Sequence, residues 1–63
     1  MKFKKGDKVI LSEVGEKLFP KFNNGIISSL YFDTEDEEYM YIVEWENKEK
    51  ENHYYDELVF IGN

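Results

Sequence analysis

Sixty-three residues with eight Lys, fourteen Asp plus Glu and no Cys make one small domain that neither disulfides nor thiolate metal sites can staple. No run is apolar enough to span a bilayer, and the opening Lys2-Phe3-Lys4-Lys5-Gly6 lacks a signal-peptide core, so the chain is expected in the cytoplasm. The net charge of −6 splits into +3 over residues 1–30 and −9 over residues 31–63, a division that points to an electrostatic partner.

The elements follow from short apolar-rich runs bounded by turn residues. Lys8–Leu11, a β-branched run after Gly6-Asp7, predicts the first strand. Ser12 can cap a short helical turn over Glu13–Leu18, with Glu13 and Glu16 at its positive end. Gly15 weakens that turn and Pro20 stops it. Asn23-Asn24-Gly25 is a strong turn signal, and Ile26–Phe32 is the expected second strand.

Asp33–Glu38 is a wholly polar, acidic turn. The third strand, Tyr39–Trp45, alternates clearly: Tyr39, Tyr41, Val43 and Trp45 share one face, and Met40, Ile42 and Glu44 the other. Glu46–Glu51 forms a polar hairpin loop. His53–Tyr55 is a short strand, Asp56-Glu57 a tight turn or one-turn helix, and Leu58–Ile61 the last strand. Five short strands with one long loop after the first predict an all-β chain bent into a small barrel. Eleven aromatic side chains supply much buried area at low rotamer cost, which suits so small a core.

Four phrases carry a resemblance: Gly6-Asp7-Lys8-Val9, Gly25-Ile26-Ile27, Val43-Glu44-Trp45 and the closing Glu57-Leu58. In that order, over nearly the whole chain, they resemble the Src-homology-3-like small barrels of bacteria, including the Tudor and KOW branches. Leu11-Ser12-Glu13, Gly15 and Pro20 are similar to a group of very small bacterial and phage proteins. The resemblance implies the five-stranded barrel and admits a phage or prophage origin. In its nucleic-acid-binding members the loops tend to carry Arg and Lys, whereas here they carry carboxylates.

No catalytic constellation is legible: Cys is absent, His53 is the sole His, and Ser12, Ser28 and Ser29 sit in cap or strand contexts. The chain is therefore expected to be no enzyme and to need no cofactor. Asp33, Glu35, Glu37 and Glu44 echo a calcium loop, but Glu38 stands where its sharp turn requires Gly, so no metal site is expected.

The leading expectation is a non-catalytic protein-interaction module. Its acidic contacts are Glu35, Asp36, Glu37, Glu38, Glu44, Glu46, Glu49, Glu51, Asp56 and Glu57, and its aromatic rim is Trp45, Tyr54 and Tyr55. Tyr54 and Tyr55 are adjacent, so one of them must face outward. Met40 and Ile42 are expected to pack under the long loop carrying Val14, Leu18, Phe19 and Phe22; left bare, they would mark a binding or self-association surface. The first alternative is an acidic DNA mimic that inhibits a host nucleic-acid-binding protein. The second is a weak KOW-like nucleic-acid binder using Lys2, Lys4, Lys5, Lys8, Lys17 and Lys21; with no Arg it would grip only the backbone.

Overall fold

The computed structural model describes residues 2–63. Strand β1 (Lys8–Leu11) leads into helix α1 (Glu13–Leu18), followed by β2 (Asn24–Asp33), β3 (Glu38–Trp45) and β4 (Lys50–Tyr54). A 3-10 turn (Tyr55–Glu57) then delivers β5 (Leu58–Gly62). The five strands form one antiparallel sheet in the order β4-β3-β2-β1-β5.

The expected closure into a barrel is not made. β4 bonds only to β3 and β5 only to β1, so the sheet has two edges. The physical reason lies in the 3-10 turn, which is bonded to the cap of α1 and directs β5 onto β1 instead of folding it back as a hairpin partner of β4. Register shifts between Ile27 and Ser29 in β2 and between Lys8 and Val9 in β1 bend the sheet, as an extra residue in a ladder does. One concave face therefore wraps a core of Phe3, Val9, Leu11, Phe22, Ile27, Tyr41, Val43, Trp45 and Leu58. Fully burying a side chain of this size contributes about 1.5–3 kcal/mol.

Helix α1 begins where the sequence places it. Ser12 Oγ accepts from the Gly15 N–H at 3.2 Å and donates to the Asp56 carbonyl at 2.6 Å, while the Ser12 N–H donates to the Glu57 carbonyl at 2.9 Å. Gly15 is buried, and a Cβ there would collide with the Glu57 carbonyl oxygen. Its glycine thus serves close approach of α1 to the 3-10 turn, beyond any weakening of the helix.

The long loop does not lie over Met40 and Ile42 as expected. Val14 and Leu18 are exposed, and α1 packs on the 3-10 turn and β1. Phe19 and Phe22 turn instead to the concave face, where Phe22 stacks on Trp45 with centroids 5.0 Å apart. Met40 is buried between its cross-strand neighbours Tyr31 and Tyr54 on the convex face.

Candidate functional site

The β2–β3 turn places most of the acidic expectation in one spot. Asp33 Oδ1 accepts from the backbone N–H of Glu35 at 2.9 Å and of Asp36 at 3.3 Å, the local bonding that makes Asp a turn former. Glu37 takes a positive φ of 56° and closes the turn. Glu35, Asp36, Glu37 and Glu38 are all exposed.

Asp36 is tied to the sheet. The Tyr54 hydroxyl donates to its Oδ2 at 2.7 Å, which pushes the Tyr54 hydroxyl up to about 12, with the nearby charges of Asp36, Asp33 and Glu38 adding to the shift. That shift reports a concentrated negative potential at this end of the molecule. Tyr54, Met40 and Tyr31 form a row across β4, β3 and β2. Tyr31 is exposed, and its hydroxyl accepts weakly from Asn52 Nδ2 at 3.4 Å. The acidic turn and a tyrosine row are thus contiguous.

The other carboxylates lie elsewhere. Glu46 and Glu49 occupy the β3–β4 turn, at the far end of β3 from Glu38, about 26 Å away at 3.3 Å per residue. Glu44 and Glu51 are exposed on β3 and β4, and Asp56 is exposed on the 3-10 turn. The acidic set therefore forms two ends of β3 instead of one patch. Among the described residues, the sole Lys–carboxylate bridge joins Lys21 Nζ to Glu49 Oε1 at 3.0 Å, so the β2–β3 turn keeps its field unneutralised.

Three expected contact residues are placed otherwise. Trp45 is 1% exposed and is core, not rim. Glu57 is buried and turned inward. Tyr55 is the outward one of the tyrosine pair, but it stacks on Phe3, with centroids 5.0 Å apart, well away from Trp45's buried ring. Both inward placements follow from one polar chain. The Trp45 Nε1–H donates to His53 Nε2 at 3.1 Å, and His53 Nδ1 stands 2.9 Å from Glu57 Oε1. Since Nε2 is the acceptor, the proton sits on Nδ1 and is donated to Glu57. His53 is fully buried, with Phe19, Phe22 and Trp45 rings against it, so this triad bonds the core and offers a solvent-borne substrate no approach.

Sequence reading missed two features. Val59, Phe60 and Ile61 are each about half exposed on the edge strand β5; the run looked like core strand, and which strand lies at an edge is not written locally. A groove of about 650 Å³ runs beside it, with Lys2 and Lys4 on its rim and Phe3, Tyr55 and Phe60 in its wall. Among the described residues, no three His, Cys, Asp or Glu side chains converge to hold a metal ion, and no helix is long and apolar enough to cross a membrane. Comparison with protein-family models, curated proteins and solved structures finds no match to this chain.

Proposed function

We propose that this chain is a non-catalytic protein-interaction module that engages a cationic protein surface through its β2–β3 turn. The observation that carries this reading is the Tyr54–Asp36 hydrogen bond, which holds an unneutralised carboxylate turn against a half-open tyrosine row. Glu35, Asp36, Glu37 and Glu38 would steer the encounter, and Tyr31 and Tyr54 would bury against the partner as anchors. Glu44, Glu46, Glu49, Glu51 and Asp56 then add long-range field without touching the same partner patch. The element order, with a 3-10 turn before the last strand, supports an opened Src-homology-3-like barrel as the scaffold, in keeping with a small phage or bacterial regulatory protein acting in the cytoplasm.

The test is a pull-down from lysate eluted by a salt gradient, run beside a variant with Glu35, Glu37 and Glu38 changed to Gln and Asp36 to Asn. The expected result is a retained protein that elutes early in the gradient and is lost by the variant. Retention that ignores both salt and the substitutions overturns the reading. Release by competing DNA would favour the mimicry alternative, which asks for phosphate-like spacing of charge along the surface. A gel shift with generic DNA and RNA at low salt checks the Lys-rich start as a backbone binder.

A further inference from the structure

The two edges of the sheet are unlike. β4 ends the sheet with Lys50, Glu51 and Asn52 exposed, and such polar and charged residues protect an edge from pairing. β5 ends it with Val59, Phe60 and Ile61, each between 43% and 49% exposed. No charge, proline or covering loop blunts that edge. Among the described residues, the ladder with β1 is all that bonds the backbone of residues 59–62.

Successive strand residues point to opposite faces. Phe60 accordingly lines the groove with Phe3 and Tyr55, while Ile61 lines a second groove with Ile26 and Lys8. A cap over one face would leave the other bare, whereas a chain laid along the edge flanks both. The charge beside the edge is cationic: Lys2 and Lys4 rim the first groove and Lys8 borders the second, on a molecule whose net charge is −6.

We infer that β5 is an acceptor edge for an extended partner segment of alternating apolar and acidic residues, which adds to the sheet as a sixth strand. Backbone hydrogen bonds along β5 would supply register, the grooves at Phe60 and Ile61 would take its apolar side chains, and Lys2, Lys4 and Lys8 would meet its carboxylates. A second copy fits less well. Pairing β5 with β5 about a two-fold axis brings the two Lys2–Lys4 rims together. Three half-exposed side chains per copy also fall well short of the about 800 Å² per partner of a stable interface. This edge is separate from the β2–β3 turn, so its failure leaves the acidic-turn reading untouched, and the reverse.

Three probes test the inference: an octapeptide alternating Val and Glu, its counterpart alternating Val and Lys, and the Val–Glu peptide N-methylated at alternate residues on either edge. Each is titrated into isotope-labelled protein and followed by amide NMR. The Val–Glu peptide is expected to shift the amides of residues 58–62 and slow their hydrogen exchange. It should bind roughly tenfold or more tightly than the Val–Lys peptide, and N-methylation should abolish binding. The double variant Lys2→Gln, Lys4→Gln should weaken the Val–Glu peptide about fivefold and respond less to added salt. Absence of binding overturns the inference, as do shifts centred away from β5 or equal binding of the N-methylated peptide. Concentration-dependent shifts of β5 without peptide, with a dimer mass in sedimentation, also overturn it, because the edge would then belong to a second copy.

Discussion

The indole N–H of Trp45 donates to Nε2 of His53 at 3.1 Å, and this one bond fixes which nitrogen of a fully buried imidazole carries the proton. The Nδ1–H then bonds Glu57, 2.9 Å away, and Glu57 belongs to the turn held by the cap of α1. Sheet, turn and helix are joined through a polar chain inside an aromatic core, where each bond left unmade is costly.

Replacing His53 with Leu should therefore destabilise the fold by about 3–5 kcal/mol, because it strands the Trp45 N–H and the Glu57 carboxylate. Glu57→Gln keeps an acceptor for Nδ1–H and should cost about 1–2 kcal/mol. Urea unfolding followed by the fluorescence of the single Trp measures both. Equal losses would mean that the chain is not what joins these elements.

Tyr54 predicts a specific alkaline behaviour. Its hydroxyl is pushed up to about 12 by Asp36, whereas an unfolded tyrosine titrates near about 10. The protonated phenol is the form the fold favours, so its contribution is complete below about pH 10 and is lost as pH rises towards about 12. Burial also raises the Tyr41 hydroxyl, against a backbone hydrogen bond at Phe3, so the Tyr54 part must be isolated by difference. Asp36→Asn should bring one tyrosine titration down towards its ordinary value, and Tyr54→Phe should remove it, as read by phenolate absorbance. No change in either variant would show that the hydrogen bond does not form in solution.

Gly15→Ala should destabilise despite the better helix propensity of Ala. Propensity favours Ala by about 1 kcal/mol, but the added Cβ meets the Glu57 carbonyl oxygen and lies 2.9 Å from Leu11 Cδ2. Moving α1 off the turn to relieve this would cost about 1–3 kcal/mol and loosen the Ser12–Asp56 bond. A rise in melting temperature would contradict the close approach.

Lys48 takes a φ of 74° in the β3–β4 turn, where its N–H bonds the Trp45 carbonyl at 2.8 Å. A side chain there costs about 1–2 kcal/mol that glycine avoids. After the extra freedom glycine gives the unfolded chain, Lys48→Gly should stabilise by about 0.5–1 kcal/mol. Thermal unfolding of this variant beside Lys50→Gly, a β4 residue in an extended strand, separates the backbone effect from loss of charge.

The sequence determined the elements. Strand β1 and helix α1 have the bounds that the apolar run, Ser12 and Pro20 predict, and the alternation of Tyr39–Trp45 names the concave face of β3. Both are local matters of capping and period, written within a few residues. The acidic turn was equally legible, since Asp33 to Glu38 contains nothing that could enter a core. Tertiary structure decided the rest. Whether Trp45 and Glu57 face a partner or each other through His53 depends on a bond spanning β3, β4 and the 3-10 turn. Whether Val59, Phe60 and Ile61 are core or edge depends on which strand lies beside β5. A strand's period fixes how its side chains alternate, but only its neighbours fix which of them meet water.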